Sequence, residues 1–165
     1  MKKYLIYIVG IIVLIGLIAV LGGRENQPDT VLSASAAALV SQEPFFDFGM
    51  IKMRDGLVRK DFILANNGAE PVVINKVYTS CMCTTAVITA SDGKKLGPFG
   101  MPGHGGLSDD RVVVAPGDQV ILQAIFDPAA HGPAGVGRAD RTVYLETNST
   151  TAPQVELNFT AIVTN

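Results

Sequence analysis

From Phe45 to the C-terminus, apolar and polar residues alternate in short runs separated by turn residues, and this period of two restricts the fold more than any other feature. In the last run Val155, Leu157, Phe159, Ala161 and Val163 alternate with Glu156, Asn158 and Thr160. Successive side chains of a strand point to opposite faces, so each such run offers one apolar face to bury. The same pattern places Val120, Leu122, Ala124 and Phe126 on one face, and Val143 and Leu145 on another. Further runs are Phe46–Phe48, Val58–Asn66, Val72–Tyr78, Cys83–Ala90 and Val112–Val114. Asn67-Gly68, Asp92-Gly93 and Pro116-Gly117 are turn signals between them. No segment after Phe45 has a helical period. Seven or eight short strands with frequent turns predict an all-β, immunoglobulin-like β-sandwich, in which two sheets bury their apolar faces against each other. A closed barrel fits less well, because the long interval Leu96–Asp110 breaks the spacing. The aromatic part of the core is expected from Phe46, Phe48, Phe62, Phe126 and Phe159, and Gly49 and Gly68 are expected at positive φ.

The N-terminus is different. Lys2-Lys3 precedes Tyr4–Gly23, a stretch without charge. About twenty apolar residues at about 1.5 Å each cross a hydrocarbon core of about 30 Å. Residues 1–23 therefore read as a single membrane-spanning helix with its lysines in the cytoplasm and the rest of the chain outside. A signal peptide cleaved after Val20-Leu21-Gly22 is the alternative, and it also exports the domain. Residues 24–43, rich in Ser, Ala and polar side chains, read as a flexible tether with room for a short helix across Ala34–Val40. Residues 44–165 are then the sandwich. Without Lys2 and Lys3 the chain carries 11 Lys+Arg against 15 Asp+Glu. A mildly acidic domain with no basic stripe is not a nucleic-acid binder. Asn148-Ser149-Thr150 and Asn158-Phe159-Thr160 match glycosylation sequons, a chance match for a sequence lying partly inside a strand.

Several motifs follow one another in a specific order: FDFGMI at Phe46–Ile51, DFILANNGAEPVVINKV at Asp61–Val77, SCMCT at Ser80–Thr84, VAPGDQVILQAIFDP at Val114–Pro128 and YLETNS at Tyr144–Ser149. The series resembles a bacterial domain-of-unknown-function family of exported immunoglobulin-like sandwiches, similar to Hydin-type and major-sperm-protein-like modules, with an F-x-F-G … S-C-x-C-T … P-G pattern. The resemblance covers Phe45 to Asn165 and implies fold and exported location. It implies no activity. The Gly/Pro/His/Met-rich stretch Gly97–Gly106 and HGPAGVG at His131–Gly137 depart from the pattern.

Both cysteines lie in the S-C-x-C-T motif. In an exported domain a pair of cysteines suggests a disulfide. On a regular strand, however, residues two apart are separated by about 6.6 Å, at the upper end of what a disulfide tolerates. A turn or bulge at Met82 would bring them closer and give a strained, reducible bond. Strand geometry would put both sulfurs on one face as a bidentate thiolate pair. Soft thiolates and thioethers suit Cu(I), and two thiolates with two imidazoles suit Zn(II). The candidate metal ligands are Cys81, Cys83, His104, His131 and Met101. A disulfide, a metal site and structural thiols all remain open at this level.

No G-x-S-x-G, H-E-x-x-H or P-loop motif is present, so no catalytic residues are assigned and the chain is expected not to be an enzyme. A nucleophilic pairing of either cysteine with His104 or His131 is the residual catalytic alternative. The expected function is that of a membrane-anchored, extracytoplasmic, non-catalytic interaction or structural module, with a protein partner added at an exposed strand edge. The alternative is a metal-handling domain for Cu(I) rather than Zn(II).

Overall fold

The alternation of apolar side chains emerges as two facing sheets. A computed structural model of the protein describes residues 33–103 and 111–165. The strands are β1 (Leu39–Ser41), β2 (Phe45–Lys52), β3 (Val58–Asn66), β4 (Val72–Thr79), β5 (Thr84–Thr89), β6 (Lys95–Phe99), β7 (Val112–Val114), β8 (Gln119–Phe126), β9 (Gly137–Thr147) and β10 (Gln154–Thr164). One sheet has the order β1-β3-β8-β5-β6 and the other β2-β10-β9-β4-β7. All pairings are antiparallel except β2 with β10. The all-β sandwich expected from the sequence is present. It has ten strands among the described residues rather than seven or eight.

The two extra strands come from segments without clear alternation. β6 lies in the interval expected as an insertion, and it buries Phe99 to 1 % exposure, adding an aromatic residue to the core. β1 lies in the expected tether. As far as that tether is described, it is part of the sandwich rather than a helix or a free linker. Ser35 bridges to Ser149, Leu39 pairs with Asn66, and Ala37 and Leu39 are buried. The reason is a close fit at Gly68, where a Cβ would lie 2.4 Å from the Cβ of Ala37. Gly68 therefore serves packing and has no positive φ, contrary to expectation. Gly49 does adopt positive φ, at 66°.

The expected anchor at residues 1–23, residues 24–32 of the tether and His104 lie outside the described residues. Among the described residues no helix is long and apolar enough to cross a membrane.

Phe62, Phe126 and Phe159 are at most 2 % exposed, and Phe48 meets the Phe159 ring edge-on at 5.4 Å. Asn66, fully buried at the end of β3, is satisfied by its surroundings. Its amide donates to the carbonyls of Glu70 and Val114, and its oxygen accepts from Gly68 N–H. Both sequon asparagines are structurally engaged. Asn148 Oδ1 accepts from Val73 N–H, and Asn158 Oδ1 accepts from the Thr142 hydroxyl.

Candidate metal centre

Strand register alone brings three separate segments to one end of the sandwich. Thr84, the first residue of β5, pairs with Phe126, the last of β8, while Thr79, the last of β4, pairs with Val143 of β9. The β4–β5 connection and the β8–β9 connection must therefore emerge side by side. Between Thr79 and Thr84 the chain crosses from one sheet to the other in a single turn, closed by Thr84 N–H donating to the Cys81 carbonyl at 3.1 Å. The buried Thr79 hydroxyl pins both ends of this turn, lying 3.0 Å from the carbonyls of Cys81 and of Thr84. Cys81, Met82 and Cys83 thus form a turn, as in the alternative of a turn at Met82, and the run expected from Cys83 begins one residue later, at Thr84. A turn brings the two sulfurs close, and the separation argument drawn from strand geometry does not apply. Both cysteines are free thiols.

The opposite connection supplies the imidazole. Asp127 N–H donates to the Cys83 carbonyl at 2.8 Å, so the loop after β8 starts beside the cysteine turn. The Asp127 carboxylate accepts from Ala129 N–H, and Gly132 N–H donates to Ala129 carbonyl, folding the loop back on itself. Gly135 lets the loop close over His131, because a Cβ there would lie 3.2 Å from His131 Cβ and 3.5 Å from Met53 Cε. His131 Nε2 ends 3.2 Å from Cys81 Sγ. Cys81 Sγ, Cys83 Sγ and a His131 ring nitrogen all lie within 4.8 Å of one another.

Arg141 completes the cluster. Its Nε donates to Cys83 Sγ at 3.0 Å, and its Nη1 donates to the carbonyl of Asp140. Sequence reading passed over this residue, although a signal was available. Arg141 has the same strand parity as Ala139, Val143 and Leu145, all buried, and a cation on the inward face of a strand calls for a partner. The sulfur of Cys83 is that partner.

The environments of the two thiols differ. Burial pushes the Cys81 thiol up. Hydrogen bonds from the Cys83 thiol and N–H, then from His131, together with the Arg141 charge, outweigh it and bring the pKa to about 7. Burial and the hydrogen bond given to Cys81 push the Cys83 thiol up, against the opposing pull of Arg141 and Thr84. Cys83 is 3 % exposed, Cys81 is half-buried and His131 is exposed.

Of the five candidate ligands, Cys81, Cys83 and His131 are brought together. Met101 is half-buried and leaves β6 close by, since the preceding Gly100 carbonyl accepts from Thr79 N–H. His104 lies among the residues that are not described.

Comparison with known proteins bears on fold. The family described as "Protein of unknown function (DUF1573)" matches residues 39–95, a segment that includes both cysteines and β1. No curated protein matches the chain. A crystal structure of a protein of unknown function from Porphyromonas gingivalis W83 is similar with a TM-score of 0.57 and 19% identity, over 83% of this chain and 51% of that one. The chain thus spans about half the length of that relative. The ASH/PapD-like domain 7 of human CEP192 matches with a TM-score of 0.44 and 11% identity, over 84% of this chain and 92% of that one. The Porphyromonas gingivalis likeness supports the β-sandwich fold and carries no function with it.

Proposed function

We propose that this chain is a metal-handling domain that binds Cu(I) through Cys81, Cys83 and His131. The observation carrying this reading is the gathering of two thiols and an imidazole from two different connections within 4.8 Å. With metal–ligand bonds of about 2.0–2.3 Å, three donors around one ion sit roughly 3.5–4 Å apart. The cluster needs only small side-chain rotations to reach that spacing. Two thiolates and one imidazole, the donors gathered among the described residues, match the low coordination number of a soft ion such as Cu(I), whereas a closed Zn(II) site takes four donors. Charge points the same way. Cu(I) with two thiolates and a neutral imidazole carries one net negative charge, and the Arg141 guanidinium beside Cys83 offsets it. Zn(II) with the same donors would be neutral and leave Arg141 uncompensated. Met101 follows Gly100, whose carbonyl accepts from Thr79 N–H, and its thioether is the further soft donor this reading assigns to transfer.

This reading is a binding function, preferred here to the strand-edge interaction module expected first. Among the described residues, three of the four edge strands offer little length for an added strand: β1 and β7 have three residues each, and β6 contains Gly97-Pro98. The uncharged segment 4–23 behind Lys2-Lys3 supports attachment to a membrane with the domain on its outer side. The test is anaerobic titration of the full chain in detergent with Cu(I) against a competing chromogenic chelator. One equivalent is expected to bind. Cys81→Ser and His131→Gln should each weaken it by at least about tenfold, since each removes one of three ligands. Equal affinity in these variants would overturn the assignment.

A further inference from the structure

The asymmetry of the two thiols suggests a second chemistry for the same turn. We propose that, without metal, Cys81 and Cys83 form a reversible thiol–disulfide couple, with Cys81 as the attacking sulfur and Cys83 as the resolving one. This inference stands apart from copper binding, because it concerns the metal-free chain and would hold if no metal bound.

Geometry assigns the roles. The turn projects outward at Met82, which is 51% exposed, and Cys81 beside it is half-buried. A disulfide of another molecule can therefore approach Cys81 from solvent. Exposed His131 places its Nε2 3.2 Å from Cys81 Sγ and leaves the sulfur reachable from solvent. Cys83 is 3 % exposed and its sulfur is turned inward to Arg141. An external disulfide cannot reach it, but Cys81 can, because the two sulfurs lie within 4.8 Å across a turn. In the reduced chain Cys83 Sγ is held by Arg141 Nε at 3.0 Å, a hydrogen bond that competes with closure onto Cys81.

Cys81 thiolate attacks one sulfur of a disulfide RSSR, forming a Cys81–SR bond and expelling RS⁻. Cys83 thiolate then attacks the Cys81 sulfur, forming the Cys81–Cys83 bond and expelling the second RS⁻. Two protons leave the protein thiols and protonate the two released thiolates. The protein loses two electrons and RSSR gains them. RSSR is a low-molecular-weight or protein disulfide, and the reverse sequence reduces the pair at the expense of two external thiols.

The test uses the metal-free full chain in detergent, with a chelator present, equilibrated in mixtures of reduced and oxidised glutathione. Acid quenching and peptide mass analysis then read the products. The expected result is one intramolecular disulfide that excess reduced glutathione removes, preceded by a transient glutathione adduct that maps to Cys81. In Cys83→Ser the adduct should persist on Cys81. In Cys81→Ser, Cys83 should take up glutathione at least about tenfold more slowly, as expected for a buried thiol. The transient adduct is read on the unsubstituted chain, so a misfolded variant does not remove the test. No intramolecular disulfide at any glutathione ratio, or an adduct that forms first on Cys83, would overturn the proposal. Chelator keeps copper out throughout, so failure of copper binding and failure of exchange are separate outcomes.

Discussion

Replacing Arg141 by Gln separates charge compensation from mere packing. In the Cu(I) complex the centre carries one net negative charge, and the guanidinium Nε is 3.0 Å from the nearer sulfur. Taking the centre of that charge as about 5 Å from the guanidinium, with an effective dielectric of about 20, gives an attraction of about 3 kcal/mol. Arg141 is only partly buried, and a glutamine can still donate one hydrogen bond, so roughly half of that should be lost on substitution. A loss of about 1.5 kcal/mol is about a tenfold weaker Cu(I) affinity. The same substitution should change Zn(II) affinity by less than about threefold, because that complex is neutral with these donors. Arg141→Lys keeps the charge and should retain most of the Cu(I) affinity. The assay is parallel competition titration of both ions on the three proteins, anaerobic for copper. Equal losses for both ions in Arg141→Gln would refute the reasoning and reduce Arg141 to a structural role, through its carbonyl bond at Asp140 and its place over the Phe126 ring.

Further outcomes concern the thiols and the sandwich. The Cys81 pKa is lowered from 9.0 to about 7, so folding favours its thiolate; that contribution is present above pH 9 and lost as the pH falls through about 7. Accordingly, alkylation of Cys81 in the native metal-free chain should reach its plateau above about pH 7 and fall below it, with Cys83 unmodified; a midpoint near 9 would contradict the hydrogen-bond assignments. Gly68→Ala should destabilise the domain by about 1–3 kcal/mol in urea unfolding, because the new methyl meets Ala37, and adding Ala37→Gly should recover much of that. No effect of Gly68→Ala would mean that the segment before β1 is not docked. Phe159→Ala, which empties a site shared with Phe48 and Phe126, should cost about 3–5 kcal/mol in the same assay.

The sequence made the sandwich legible wherever one face of a strand is buried and the other wet. Val58–Asn66 was read with the bounds it has as β3, and the inward residues of β8 and β10 were read correctly. What was missed lies where alternation fails. β1 and β6 are short edge strands whose burial depends on contacts distant in sequence, Ala37 with Gly68 and Phe99 with the core. At the cysteines the sequence leaves strand and turn both open, because Thr84–Thr89 alternates well and nothing local marks where that alternation begins. Thr79 sets the boundary, and a threonine at a strand end carries no such signal by itself. The pairing of Cys81 and Cys83 with His131 was legible as a set of residue types, but their meeting depends on the registers of β4 with β9 and of β5 with β8. Arg141 could have been found from its inward parity on β9.

X-ray absorption at the copper edge, on the full chain loaded with one equivalent of Cu(I), reads the donors around the ion. The expected spectrum is that of a three-coordinate Cu(I) ion with two sulfur neighbours and one nitrogen neighbour, the nitrogen being lost in His131→Gln and one sulfur in Cys81→Ser. A spectrum with no sulfur neighbours, or one unchanged by either substitution, would contradict it.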